Sequence, residues 1–406
     1  MKRRILFVDD EPKILQGLRR MLRSMRHEWE MEFAESGPDA LNMLDREAFD
    51  VVVSDMRMPG MDGSDLLTQI QRRFPSIVRI VLSGHSDQES ILKSVRPAHQ
   101  YLSKPCEPEL LISTVKRSCA LRDLLRQESL RRIVSQTESL PCLPSLYTEL
   151  MEELRLSDGS IERVGEIIEK DIGMTAKLAQ LVNSSFFGLP RHISNPSQAV
   201  ILLGFDTVKS LVLTVGLFSQ FDPSALSVLH VESIYNHSMK TGAIARQIAK
   251  SEHIADELID NAFMAGLLHD IGKLVLAARL PEAYREVFEL IRQGGISFPE
   301  AETEILGASH ADVGAYLLGL WGLPEAVVGA VAFHHNPRNC PIATFNPLTA
   351  VYAANILESH NHASADIEDL KKEFDSEYIK RLGLNERIPA WVGISQQIEG
   401  ETDTNE

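Results

Sequence analysis

The chain is 406 residues long, 44% hydrophobic and 24% charged, proportions that suit a globular protein with length for two or three separate cores. Its four cysteines, Cys106, Cys119, Cys142 and Cys340, contain no CxxC pair, which argues against a disulfide framework or a thiolate zinc site and fits a reducing cytoplasm. The net charge of −16 is uneven: residues 1–120 hold 18 Lys/Arg and 18 Asp/Glu, whereas residues 141–406 hold 19 and 36, a balance that disfavours duplex DNA binding by the second half while leaving room for local basic patches.

From the N-terminus, Met1 to Arg4 lead straight into ILFV and the acidic Asp9-Asp10, too short an apolar run for a signal peptide. Alternating apolar runs and amphipathic stretches follow. ILFVD (5–9), MEFAES, VVVSD (51–55), IVRIVLSG (77–84) and QYLSK (100–104) read as strands, separated by helical patterns at 12–26, 37–48, 64–73, 87–95 and 107–119. Five strands alternating with five helices predict a doubly wound α/β fold with a parallel sheet, which binds ligands at the carboxyl ends of its strands. Asp9, Asp10, Asp55, Ser83 and Lys104 all fall at those ends. Clustered carboxylates call for a hard divalent cation, and Mg²⁺ with a phosphate oxygen fits a few carboxylates plus water. An Asp-Asp pair after a strand also serves as a helix cap. Asp55, Ser83 and Lys104 in step with it favour a phosphoryl acceptor site.

VDDEP, SDMRMPGMDG, LSGHSD and YLSKP together resemble the receiver domain of two-component response regulators over residues 1–120. That resemblance implies Asp55 as the aspartate phosphorylated by a sensor histidine kinase. It also implies Mg²⁺ held by Asp10, by Asp9 through water, by Asp55 and by the backbone of Arg57. Ser83 is then the switch hydroxyl, Tyr101 the switch aromatic and Lys104 the charge partner of the phosphoryl group, with a cis Lys104-Pro105 peptide.

In the connector (121–139), apolar residues at 121, 124, 125, 130, 133 and 134 form a helical stripe that continues the receiver's last helix, able to transmit a shift or to pair with a second copy in a homodimer. Glu128 interrupts the seam, and Pro141 and Pro144 end the helix. Beyond it helical patterns dominate, at 145–156, 161–170, 172–184, 196–203, 205–219, 229–252, 256–269, 281–293, 299–306, 309–321, 324–334, 346–359 and 367–382, which predicts an all-α half. The longest apolar stretch (199–218) carries Asp206 and Lys209 near its middle and reads as buried helix rather than as a membrane span. Residues 341–399 read as a helical extension and 400–406 as a disordered acidic tail.

LPCLPSL and the stretch from EKDIGMTAKLAQLVNSS to SQAVILLGFDTVKSLVL resemble the HDOD domain, a helical signalling module related to HD-type phosphohydrolases, over about 140–340. The HD order His…His-Asp…His…His-His is matched by His237, His269, Asp270, His310, His334 and His335, and Lys273 is similar to the phosphate-contacting lysine of HD-x-G-K. The resemblance implies a divalent site for Fe, Mn or Zn, ions that imidazole and carboxylate ligands suit. Asn355 stands where that order has a last aspartate, with Glu358 three residues on, and HHNPRNCPIATF replaces the GYP sequence of cyclic-di-GMP phosphodiesterases. His230, His253, His360 and His362 read as structural. The expectation is a cytoplasmic response regulator whose HDOD half acts through contacts with a protein partner. The competing reading is a phosphorylation-gated metal phosphohydrolase.

Overall fold

Nearly continuous apolar runs, VVV (51–53) with ILFV (5–8) and IVL (80–82) on its neighbours, make strands that can be covered on both faces. β1 (Arg3–Val8), β2 (Trp29–Ala34), β3 (Val51–Asp55), β4 (Val78–Gly84) and β5 (Gln100–Lys104) pair in the order β2-β1-β3-β4-β5, all parallel. The register Val8↔Ser54 sets Asp9 beside Asp55, and Gly84↔Lys104 brings β5 to the same edge. In the computed structural model the described residues are 2–84, 97–125, 127–137, 141–156, 159–183, 193–213, 219–220, 229–359 and 367–403. The helix expected at 87–95 lies outside them.

α1 (Pro12–Met21), α2 (Gly37–Arg46), α3 (Gly63–Arg73) and α4 (Pro108–Leu124) flank the sheet. α1 is shorter than the predicted 12–26 helix, because the chain tightens into a 3₁₀ segment at Leu22–His27 that buries Leu22 and Met25.

The connector continues the receiver's last helix only as far as Leu124. The chain breaks at Leu125, whose backbone is extended, and restarts as α5 (Glu128–Ser135), with Arg131 donating to the freed Leu125 carbonyl at 2.8 Å. The fold-back buries Leu121, Leu125, Leu130 and Val134 in the core shared with the second half. Four of the six stripe residues are thus used inside the chain, while Leu124 and Ile133 stay partly exposed.

The second half has two cores. α6 (Pro144–Glu153), α7 (Ile161–Glu169), α8 (Ile172–Val182), α9 (Pro196–Leu203) and α10 (Phe205–Leu213) enclose one of their own. α11 (Val231–Ser251), α12 (Asp256–Leu268), α13 (Ile271–Arg279), α14 (Pro281–Gln293), α15 (Phe298–Leu306), α16 (His310–Leu320), α17 (Glu325–Phe333), α18 (Pro347–Ser359), α19 (Ile367–Glu373), α20 (Ser376–Leu382) and α21 (Ile388–Asp403) build the other. That second core runs without interruption into one face of the receiver.

Three expectations change here. Helix α13, absent from the predicted pattern, follows directly on His269-Asp270 and buries Leu274, Val275 and Leu276. Its period is masked because the apolar run is nearly continuous. The predicted helix at 367–382 splits, since Asp375 turns out of line to cap α20 at Tyr378. Residues beyond 340 are no appendage: α18 packs between α11, α12 and α17, and α21 runs to Asp403, so residues 400–403 are helical where a disordered tail is expected. Adding residues to an existing helix is far cheaper than nucleating one.

Candidate functional sites

At the sheet edge, Lys104 reaches between two strand ends. Its Nζ donates to Asp9 Oδ2 at 2.7 Å and pairs with Asp55. The Arg57 backbone N–H donates to the other Asp55 oxygen at 3.1 Å, and Glu11 N–H to Asp9 Oδ1 at 2.9 Å. Burial pushes the Asp55 pKa up against the pull of the Lys104 ammonium, while bonds to Asp55 and Asp9 outweigh burial and raise that of Lys104. Asp9 is 1% exposed and Asp10 only half-buried, so Asp10 is the more open of the pair. The Lys104-Pro105 peptide is cis. Tyr101 is buried; Ser83 lies on β4 opposite Ser103, and its side chain is outside the described residues.

The histidine cluster is assembled by close helix contacts. A Cβ on Gly272 would strike the His310 backbone carbonyl, so the glycine of HDIGK lets α13 touch α16 at its first residue. Gly266 meets Gly242 in the same way, which draws α12 against α11 and brings His269 to His237. Glycine is the residue for such approaches.

Inside the cluster the ring orientations are set by Nδ1 partners. His269 Nδ1 donates to Gly266 O at 2.7 Å, His334 Nδ1 to Val331 O at 2.7 Å, and His310 Nδ1 to Glu302 Oε2 at 2.6 Å. His237 Nδ1 pairs with Glu358. Each ring therefore turns Nε2 inward, toward Asp270. His310 Nε2 is 3.2 Å, and His334 Nε2 3.9 Å, from Asp270 Oδ1; His269 and His237 Nε2 lie 3.5 and 3.8 Å from Oδ2. His335, the exposed member, sets its Nε2 at 3.0 Å from that of His310.

Two carboxylate-centred groups result, Asp270 with His310, His334 and His335, and Asp270 with His237 and His269, whose ligand atoms in each lie within 4.8 Å of one another. Asp270 is common to both. Asp270 Oδ1 and His334 Nε2 are buried with no hydrogen-bond partner, despite the short separation of Oδ1 from His310. Nitrogen faces nitrogen at 3.1 Å between His237 and His269. Such orphaned and facing acceptors need a proton or a cation between them, so the residues fit a divalent ion. Burial drives the His269 pKa down to about 4, which keeps that ring neutral and able to ligate. Burial opposes ionisation of Asp270, but the His269 imidazole against it, the Lys273 ammonium and the nearby His310 ring hold its pKa well below the ordinary carboxylate value.

Lys273 Nζ donates to Asp270 Oδ2 at 2.6 Å and lies over the Phe298 ring. Asn355 sits half-buried on α18, one turn before Glu358, and Glu358 is the carboxylate that reaches the cluster, through His237.

Glu302 is a site residue that the sequence does not flag. It is 0% exposed; its Oε2 accepts from both the backbone N–H (2.7 Å) and Nδ1 of His310, and its Oε1 from Tyr284 OH at 2.8 Å. In AETEIL it looks like one of three surface glutamates around α15, and the only signal is its spacing on the face of Ala301 and Leu306. A cleft of about 650 Å³ opens beside His335, edged by Glu300, Glu304 and Asp312 and by no Lys or Arg.

Family models match this chain twice: the response regulator receiver domain over residues 5–116 and the HDOD domain over residues 140–337. An uncharacterized protein of Treponema pallidum is 28% identical over 54% of this chain and 42% of its own length. The hydrogenase transcriptional regulatory protein HoxA of Cupriavidus necator is 38% identical over 30% of this chain and 25% of its own. The chain thus spans less than half the length of these curated relatives. Among solved structures, the MmoQ response regulator from Methylococcus capsulatus is 21% identical with a TM-score of 0.49, covering 63% of this chain and 98% of that one.

Proposed function

Because this chain is a response regulator, an N-terminal receiver domain joined to an HDOD output domain, we propose that phosphorylation of Asp55 by a sensor histidine kinase controls how the HDOD half meets a protein partner. The observation that carries the first step is the Lys104 ammonium held between Asp9 and Asp55. It neutralises part of the acidic edge and stands ready to pair with a phosphoryl group on Asp55. Asp9, Asp10, Asp55 and the backbone of Arg57 would hold Mg²⁺, which when bound would neutralise part of the negative charge at this edge. A cytoplasmic setting agrees with four cysteines that form no disulfide, and no described helix is long and apolar enough to cross a membrane. Labelling with acetyl phosphate tests the assignment: wild type becomes phosphorylated in Mg²⁺ and Asp55→Asn does not. Equal labelling of the Asn variant would move the phosphoacceptor elsewhere.

A second reading concerns the histidine cluster, in which two buried acceptors converge without partners. His237, His269, Asp270, His310, His334 and His335 would hold Fe, Mn or Zn, which when bound supplies Lewis acidity toward a phosphoryl oxygen. The chain's own residues favour binding over turnover. The adjoining cleft offers carboxylates rather than cations to an anionic substrate, and Lys273 is held by Asp270. Asp270→Ala should abolish metal uptake by the purified protein, read by elemental analysis after reconstitution.

A further inference from the structure

Helix α16 has a cluster ligand at one end and the receiver at the other. His310 is its first residue. Nine residues on, about 14 Å along the axis, the Gly319 carbonyl accepts from Gln100 Nε2 of β5 at 3.2 Å. A Cβ on Gly319 would run into the Leu121 side chain of α4, so receiver and α16 are in direct contact there. Between these points Tyr316 OH meets Ser135 Oγ of the connector at 3.1 Å. At the other end, Gln127 of the connector packs on Gly307, three residues before His310.

The receiver side is equally short. Gln100 begins β5, Tyr101 follows it, and Lys104, the partner of Asp55, ends it. Arg117 of α4 donates to Gln100 Oε1 at 3.4 Å, and Gln180 of α8 donates to the His99 carbonyl at 3.4 Å, so the start of β5 also touches the first HDOD core. One strand and one helix, both regular elements inside a continuous core, thus span from the phosphoacceptor to the histidine cluster. A closely packed core transmits displacement rather than absorbing it.

We propose that β5 and α16 form a mechanical link through which phosphorylation of Asp55 alters the seat of His310, and so the affinity of the histidine cluster for a divalent cation. Phosphorylation replaces the single negative charge of the Asp55 carboxylate with about two on the phosphoryl group, a net gain of about one beside Lys104, and carries that charge further from the strand end. Drawing Lys104 toward that group moves the end of β5, and the Gln100–Gly319 bond with the Leu121 contact carries the shift to α16. His310 then moves relative to Asp270 on α13. The metal part of this inference rests on the cluster taking a divalent cation; the displacement of α16 does not. Coupling is reciprocal, so metal at the cluster would equally favour or oppose phosphorylation.

The test uses the full chain in excess Mg²⁺, with beryllofluoride as the phosphoryl mimic and its loading followed by fluorine NMR. Zn²⁺ affinity is measured by chelator competition, with Asp270→Ala separating cluster binding from adventitious binding. Backbone amide exchange over residues 307–313 is measured without Zn²⁺. Beryllofluoride should change the Zn²⁺ affinity of wild type about fivefold or more, change exchange at 307–313, and do neither in Asp55→Asn. Gly319→Ala, which suits a helix interior but displaces Leu121, should cut the affinity response to less than about twofold while beryllofluoride still loads. Gln100→Ala should weaken it in the same direction. If Zn²⁺ binds to wild type and not to Asp270→Ala, yet neither affinity nor exchange responds, the link is refuted and the metal reading stands. If Asp270→Ala binds Zn²⁺ as wild type does, the metal reading falls, and exchange at 307–313 decides the link alone. Failure of beryllofluoride to load would overturn the link and the phosphoacceptor assignment together.

Discussion

Glu302 shows how much a single buried carboxylate can hold in place. It accepts three hydrogen bonds, two from His310 and one from Tyr284, with no exposure to solvent. Removing one member of a buried charged network strands the others, at a cost of about 3 kcal/mol or more. Glu302→Ala should therefore lower the unfolding free energy by about 3 kcal/mol in urea titrations. Glu302→Gln, which keeps an acceptor oxygen, should lower it less. Partners that orient a ligand commonly matter by ~10–100-fold in metal affinity, so Glu302→Gln should also weaken Zn²⁺ retention on that scale. Unchanged stability in both variants would mean that His310 finds another partner.

At the level of elements, contacts between helices are decided by what is missing as much as by what is present. Gly272→Ala sets a methyl against the His310 carbonyl, a backbone atom that cannot swing aside. Forced separation of α13 and α16 should cost about 2 kcal/mol or more and weaken cation binding at Asp270, both measurable on one sample. The junction between sheet and connector is a different kind of contact. Arg79 is buried and donates to the carbonyls of Pro75, Ile77, Pro97 and Ser135, and its backbone N–H donates to His99 Nδ1 at 3.1 Å. With Nδ1 accepting, His99 Nε2 is the donor to Ser135 O at 3.1 Å. Burial, then the charges of Arg79 and Lys177, hold the His99 pKa well below its ordinary value of 6.5. In the unfolded chain the ring takes up a proton below that value, so the unfolded state binds more protons and stability falls as pH drops. This group alone should contribute a slope of about 1.4 kcal/mol per pH unit below pH 6.5. His99→Gln should lose that part of the slope when unfolding is compared at pH 7 and pH 5. An unaltered slope would assign acid sensitivity to the other buried histidines.

For the whole molecule, charge and packing point the same way. The second half carries 19 Lys/Arg against 36 Asp/Glu, a net of −17, and the cleft beside the histidines is edged by acids. Neutralising phosphates requires the opposite sign. The full protein should bind duplex DNA only non-specifically and lose that binding between 50 and 200 mM salt, in fluorescence anisotropy with and without beryllofluoride. A sequence-selective complex at physiological salt would reverse this.

The sequence by itself determined the two domains and most of the residues at each site. Strand ends in a parallel sheet fall on one edge by topology, so Asp9, Asp55 and Lys104 were legible from their positions alone, and the His-Asp order carried the second cluster through family resemblance. Tertiary structure decided the rest. The connector's apolar stripe fitted a free helix equally well, and only the core available on α16 made it fold back at Leu125. Arg79 sits within IVRIV like any strand-edge cation, yet it is buried because carbonyls from three segments converge on it. Glu302, Glu358 and α13 were hidden for the same reason. Local period reports which face of an element is apolar, whereas the partner that a polar side chain meets is set by another element far along the chain. The span from Asp55 to His310 is of this kind, since Gln100 and Gly319 meet across 219 residues of sequence.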